Sequence, residues 1–288
     1  MKKLLSIGIL LTTLLAATAF SGTAGAAGIS DASMAKLLQL SGIHDMVAQF
    51  PNLLRMRMAQ ARQRDRFAHS QPSMSDAEYR ELENTMLDAF KPAGILQAIG
   101  QAVRQSVSEA DARQMLAWYG SDLGRKIDRA EQDSSTPAAM RDMAATAHRL
   151  LADKPRVLYA VKLDKLLHMT DMSMRFQVNA AVAMFVAFST KKNAHRPANL
   201  KAFRKRIAAG LERQRPRIRR SVIVSTVYTY RNIDMKALEQ YRAFLNSPPA
   251  LRLNRALMRG MDAGMDQAID RMSRAVESLF KQRHLQRI

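Results

Sequence analysis

The chain has 288 residues, a formal net charge of +20 at pH 7 and no cysteine. The absence of cysteine excludes a disulfide framework and a lipid attached through a cysteine side chain. The length fits either one large domain or two similar halves.

The first residues have the pattern of a secretory signal peptide. Lys2 and Lys3 precede an apolar run that ends at Phe20, and small residues follow up to Ala26. This order predicts cleavage after Ala26. The apolar run is shorter than the roughly 20 residues of a membrane-spanning helix. We therefore expect a periplasmic or secreted protein that has no transmembrane anchor once residues 1–26 are removed.

The basic residues are concentrated in the second half of the chain. Residues 27–150 contain 15 Lys and Arg against 15 Asp and Glu, whereas residues 151–288 contain 28 against 10. Residues 191–220, the basic segment, hold 12 basic residues and a single acidic one, Glu212. The sequence therefore predicts a charge-neutral unit, 27–150, and a strongly basic unit, 151–288.

Helix-start signals recur along the chain and predict an all-α fold, a bundle of two multi-helix units. The stretches "SDAE" (75–78) and "SEAD" (108–111) place a capping hydroxyl three residues before a carboxylate, which satisfies free backbone N–H groups of a first helical turn. In "STP" (135–137) and "NSPP" (246–249) a proline stands just inside a helix start, where its missing N–H costs nothing.

The two halves align without gaps. "SEADARQMLAWYGSDLGRKI" (Ser108 to Ile127) lies over "DMKALEQYRAFLNSPPALRL" (Asp234 to Leu253), with capping residues and aromatics in register. The same offset places residues 95–104, which read as a helix, over "SVIVSTVYTY" (221–230), which has strand propensity. An internal repeat outweighs local propensity, so we predict a helix at 221–230 and two copies of one helical unit.

Ser121 lies in "AWYGSDLGRK" (117–126), a stretch that a catalytic serine or a phosphate loop could also occupy. The G-x-S-x-G spacing and the preceding strand of a catalytic serine are both missing. Ser247 occupies the equivalent position of the second half. We therefore interpret both serines as helix N-caps.

The second-half residues also match a family motif. Phe244, Ser247 and Pro248 stand where F-Y-x-S-P-x-G has its first aromatic, its serine and its proline, while Leu245 and Ala250 depart from it. Here the chain resembles the bacterial domain-of-unknown-function 2059 family.

The resemblance extends over residues 222–272 and, in a looser copy, over residues 94–130. In that copy Tyr119, Ser121 and Gly124 match the motif and Asp122 replaces its proline. The resemblance implies an exported helical protein, and it brings no catalytic residues.

The basic segment is the predicted binding surface. Its summed field would attract an anionic partner. The predicted export favours anionic lipid, lipopolysaccharide or an acidic envelope protein over nucleic acid. The alternative is a solvated helix face. The predicted partner-binding residues are Lys191, Lys192, Arg196, Lys201, Arg204, Lys205, Arg206, Arg213, Arg215, Arg217, Arg219 and Arg220.

The methionines, 19 in all, suggest a copper-binding site as a second hypothesis, to be weighed against a role in the core. One stripe has helical spacing and is typical of a helix core: Met258, Met261, Met265, Ile269 and Met272. Residues 168–174, "HMTDMSM", resemble thioether-rich Cu(I) sequences. On a helix, however, Met174 points away from Met172, so we predict no metal site. The aromatic residues Trp118, Tyr119, Tyr241 and Phe244 are assigned to the core.

No catalytic or cofactor-binding motif is recognisable, and we predict no cofactor. The predicted function is a non-catalytic interaction module of the cell envelope that contacts an anionic partner. One alternative is an amphiphile carrier with an apolar, partly methionine-lined pocket between the units, and another is an enzyme without a recognised motif. A cavity between the units would favour the carrier, whereas tight packing beside an exposed cationic ridge would favour the interaction module.

Overall fold

The computed structural model describes residues 28–68, 74–192 and 199–285. Within these residues the secondary-structure elements are helices and none is a strand, so the fold is an all-α bundle, as predicted. The predicted signal peptide, residues 1–26, lies outside the described residues.

Seven helices lie in the described part of the first half. They are α1 (Asp31–Leu40), α2 (Ile43–Ala68), α3 (Asp76–Ala89), α4 (Pro92–Arg104), α5 (Glu109–Tyr119), α6 (Asp122–Ser134) and α7 (Pro137–Leu150). Those of the second half are α8 (Lys154–Leu167), α9 (Met169–Lys192), α10 (Leu200–Glu212), α11 (Arg215–Thr229), α12 (Met235–Leu245) and α13 (Pro248–Leu285).

The predicted helix starts at Ser75, Ser108 and Ser121 are confirmed in their hydrogen bonds. Ser75 and Ser108 begin α3 and α5 with a complete capping box, in which the side chain of each partner bonds the other's backbone. Ser121 Oγ accepts a 3.0 Å hydrogen bond from the backbone N–H of Gly124. Ser121 is therefore the N-cap of α6, in the local role that its neighbours predict.

Residues 221–229 are helical and belong to α11, as the alignment of the halves predicts. Val224, Thr226, Val227 and Tyr228 are buried, and α11 packs on α6, α7, α8 and α9. Burial against four helices outweighs the strand propensity of these β-branched side chains, because tertiary contacts override an intrinsic preference of this size.

Equivalent helices follow the predicted offset. The bounds of α12 lie 126 residues after those of α5, from Glu109 to Met235 and from Tyr119 to Leu245. The residues with positive φ among those described, Gly42 and His168, are also 126 apart. The duplication itself stays a prediction, and the helix bounds are consistent with it.

One hydrophobic core includes residues of both halves, from Ile29 to Val276. A smaller cluster forms where α6 meets α8 and α12, around Ile127, Leu163 and Leu238. Beside it the predicted core aromatics pack together.

Trp118 and Phe244, which the offset aligns, stack with ring centroids 3.9 Å apart and planes 3° from parallel. Tyr241 stacks on the same indole at 5.2 Å. Tyr241 is buried, whereas Trp118, Tyr119 and Phe244 are half-buried at the edge of the cores.

Helix α13 lies against α4 at backbone contact. It has 38 residues, or about 57 Å at 1.5 Å per residue. A Cβ atom on Gly260 would lie 2.4 Å from Ile99 Cα, and one on Gly264 would lie 2.9 Å from Ile95 Cα. Both distances are too short for any side chain, so the two glycines set the separation of the two helices.

We expect Gly260→Ala to destabilise the fold. The added methyl group meets the backbone of α4, and overpacking of this kind costs about 1–3 kcal/mol. Gly210→Ala in α10 is the matched control, because nothing lies within 4 Å of a Cβ there. It should stabilise α10 by up to about 1 kcal/mol. Urea unfolding of both variants tests this, and equal shifts would contradict a tight α4–α13 contact.

Candidate functional site

A cleft of about 1000 Å³ opens between helices of the two halves. Its walls come from α2 of the first half and from α9, α11 and α13 of the second. The volume lies at the upper end of the range for small-molecule sites. The cleft lies between the two halves, which is where the carrier alternative expects a pocket.

Methionine is the most frequent residue in the apolar lining of this cleft. The side chains come from three helices: Met46 of α2, Met169 and Met172 of α9, and Met258, Met261 and Met265 of α13. All except Met265 are half-buried. Methionine is unbranched and polarisable, and it adapts to apolar partners of varied shape.

The methionine stripe of α13 therefore has two roles rather than the single core role that its spacing predicts. Met265, Ile269 and Met272 are buried in the core. Met258 and Met261 line the cleft and are only half-buried. The spacing correctly predicts that these residues share one face of the helix. Which end of that face is buried in the core depends on the neighbouring helices.

The segment 168–174 divides between two sides of α9. Met169 and Met172 line the cleft. Met174 is buried and lines a second, smaller cleft of about 460 Å³. Met174 therefore lies on a different side of α9 from Met169 and Met172, as the helical spacing indicates. Among the described residues no group of three His, Asp or Glu side chains has the arrangement of a metal site.

The ionisable side chains of the large cleft are Arg175, Arg217 and Asp262. Arg175 and Asp262 form an ion pair with each other. Arg217 is exposed and has no ion pair within the described part of the chain. One positive charge in the cleft is therefore left without an opposite charge from the protein.

The smaller cleft lies beside the large one and is lined by paired charges. Arg204 Nη2 lies 2.7 Å from Asp266 Oδ1, and Arg215 Nη1 lies 2.6 Å from Asp171 Oδ1. The guanidinium of Arg215 also bonds Glu212. The hydrogen bonds from Arg215 lower the pKa values of Asp171 and Glu212. These pairs connect α9, α10, α11 and α13.

The structure divides the predicted partner-binding residues into paired and unpaired cations. The side chains of Lys191, Lys192 and Arg196 lie outside the described part of the chain. The cations engaged within the protein are Arg204 and Arg215 in ion pairs, Arg219 with its Nε 3.5 Å from Asp164 Oδ2, and Arg206 over the ring of Phe203.

The remaining five cations are exposed, and none has an ion pair among the residues that the structure describes: Lys201, Lys205, Arg213, Arg217 and Arg220. The basic segment is therefore only partly an open cationic surface.

A polar cluster outside both clefts, in which half-buried Glu131 meets buried tyrosines, was not predicted. Glu131 Oε1 accepts hydrogen bonds of 2.6 Å from Tyr230 Oη and 3.0 Å from Tyr241 Oη. Burial raises the pKa of Glu131, and it raises the pKa values of both tyrosines well above their usual value. Tyr159 Oη lies buried nearby and has no hydrogen-bond partner among the described residues.

The sequence gives little sign of this cluster, because Glu131 lies about 100 residues before Tyr230 and Tyr241 along the chain. The cluster lines neither cleft, so a ligand in either cleft would not meet Glu131. It joins α6 of the first half to α11 and α12 of the second and has a structural role.

Comparison of the chain with protein-family models, with curated proteins and with solved structures found no match. The resemblance to the domain-of-unknown-function 2059 family therefore stays a prediction. Among the described helices, none combines the length and the apolar character needed to cross a membrane.

We expect Glu131→Gln to remove a pH-dependent loss of stability. The pKa of Glu131 is raised in the fold above the unfolded value of 4.5. Its contribution is complete below that value and is lost as the pH rises through the folded pKa. Asp128 on the same helix adds to the shift, and the facing tyrosines stay neutral across this range. Unfolding followed by the fluorescence of Trp118 should show the variant gaining stability over wild type from acidic to neutral pH.

Glu109→Gln is the control of opposite sign. Glu109 accepts hydrogen bonds from Ser30 N at 2.7 Å and from Ser33 Oγ at 2.6 Å, which lower its pKa. Its contribution is present above the unfolded pKa and is lost as the pH falls. This variant should therefore lose stability at neutral pH. Parallel pH profiles for the two variants would contradict the assignment of Glu131.

Proposed function

We propose that this chain is a non-catalytic binding protein of the cell envelope that holds the apolar part of an amphiphilic molecule in its large cleft. The observation that supports this best is a cleft of about 1000 Å³ with six methionines in its walls. The envelope setting rests on the predicted signal peptide.

The cleft favours an amphiphile over a fully polar or fully apolar ligand. Its methionines are accompanied by Leu53, Phe176 and Ile218, while Ser221 and Gln177 also face the same space. Ligand sites of this kind combine a mainly apolar wall with a few polar groups that fix orientation. The walls along α13, from Asn254 to Met265, extend about 16 Å at 1.5 Å per residue, which suits an extended chain.

Paired substitutions of methionine by glutamine test the binding. We expect Met172→Gln combined with Met261→Gln to weaken binding of monododecanoylglycerol, a neutral amphiphile, by at least about tenfold, because burying one methionine is worth roughly 1.5–3 kcal/mol. Calorimetric titration below the micelle concentration gives the affinity.

Met140→Gln is the control, since Met140 is 53% exposed on α7 and lies outside the cleft. It should bind as wild type does. A wild-type protein without saturable binding, or a double variant with unchanged affinity, would contradict the proposal.

A second candidate function is contact with an anionic membrane surface through the unpaired part of the basic segment. It is supported by five exposed cations that have no ion pair in the described part of the chain. Each cation near an anionic bilayer contributes about 1 kcal/mol. This candidate is compatible with the first, because amphiphiles partition into membranes.

We expect replacement of four cations by glutamine to reduce binding to vesicles that contain phosphatidylglycerol. Lys201, Lys205, Arg213 and Arg220 are changed together and Arg217 is kept, so that the cleft stays intact. Their summed contribution corresponds to a loss of roughly a hundredfold to a thousandfold in affinity. Co-sedimentation at two salt concentrations measures it, and added salt should weaken wild-type binding.

The control variant changes four exposed cations of α7 and α8 to glutamine: Arg141, Arg149, Lys154 and Lys162. It has the same net charge as the test variant and should retain most of the binding. Equal losses in the two variants, or equal binding to phosphatidylcholine vesicles, would refute a specific contact surface.

A further inference from the structure

Arg217 gives the large cleft a single uncompensated charge. The other ionisable groups of the lining, Arg175 and Asp262, neutralise each other. Apart from Arg217 and this pair, the lining side chains are uncharged. An occupant that carries one negative charge would therefore leave the cleft electrically balanced.

The arginines on either side of Arg217 are held by acidic residues, and Arg217 is not. Arg215 bonds Asp171 and Glu212, and Arg219 lies 3.5 Å from Asp164. Residues 215 and 219 are four apart and share one face of α11. Arg217 lies on another face, which lines the cleft. The paired arginines therefore fix the first turns of α11, and Arg217 is directed by the same helix towards the ligand space.

Both polar and apolar side chains of α11 and its N-cap line the cleft, which suits a ligand with a polar head group and an apolar chain. Gln214 and Ser221 line the cleft on the two sides of Arg217, and Ile218 and Val222 continue the same wall. A guanidinium binds a carboxylate through two parallel hydrogen bonds, and neighbouring amide and hydroxyl groups can bond a remaining head-group oxygen. The methionines line the rest of the cleft.

We propose that the ligand of this cleft is a singly anionic amphiphile, whose carboxylate or chemically similar head group pairs with Arg217 while its chain lies against the methionines. This inference rests on the proposed function and makes its ligand class specific. A neutral amphiphile would occupy the same apolar walls without the charge pair.

The test compares dodecanoate with monododecanoylglycerol, which share one acyl chain and differ in head-group charge. Wild type should bind dodecanoate more tightly. Arg217→Gln should weaken dodecanoate roughly tenfold to a hundredfold, the range for a hydrogen bond to a charged group, and should change the neutral ligand by less than about twofold. Titration calorimetry at about pH 8 keeps the carboxylate ionised.

Two further variants separate charge from shape. Arg149→Gln removes an exposed cation of α7 that does not line the cleft, and it should leave both affinities unchanged. Arg217→Lys keeps the charge and should retain most of the preference for dodecanoate. Circular dichroism of each variant checks that the fold is kept.

Three outcomes overturn the inference. In the first, Arg217→Gln leaves the dodecanoate affinity unchanged, although the neutral ligand binds; the proposed function then stands and the inference fails. In the second, the variant weakens both ligands equally, which assigns Arg217 to the shape of the cleft. In the third, wild type binds neither ligand, and the proposed function fails together with the inference.

Discussion

The arrangement of the bundle depends on the close contact between α13 and α4. Gly260 and Gly264 are one helical turn apart and face Ile99 and Ile95 of α4. At roughly 100° per residue, this glycine face lies about a third of a turn from the face that carries Met261. When the glycines fix α13 against the first half, the neighbouring methionine face is directed into the cleft.

Sequence reasoning succeeded where the cause is local. Capping side chains at Ser75, Ser108 and Ser121 satisfy backbone groups within three residues, so a short stretch is enough to predict them. The helix at 221–229 does not follow from local propensity, which favours a strand there. Comparison of the halves replaced the missing tertiary information.

The sequence was less informative where distant residues meet. The four-residue spacing of Gly260 and Gly264 indicates close helix packing. The methionine stripe of the same helix is the stronger pattern in the sequence, and it predicts only a buried face. A count of charges also cannot show that Arg204 finds Asp266 or that Arg215 finds Asp171, because these acids lie far along the chain. The basic segment therefore reads as one surface in the sequence and divides into two groups in the fold.

The interval between α5 and α12 also relates two walls of the cleft to each other. Met46 of α2 and Met172 of α9 both line it, and they are 126 residues apart, the interval between α5 and α12. At the same interval Arg217 corresponds to Lys91, which lies at the start of α4 and pairs with Asp88.

In the first half, Lys91 is therefore neutralised by Asp88. At the corresponding position of the second half, Arg217 faces the cleft without an ion pair. The difference in charge between the halves, visible in the composition, has a local chemical consequence at this position. Helices of both halves supply the apolar walls, and among these lining residues only Arg217, in the second half, supplies a positive charge without an ion pair. A symmetric ligand would leave that difference unused, whereas a ligand with one charged end and one apolar end would use both features of the cleft.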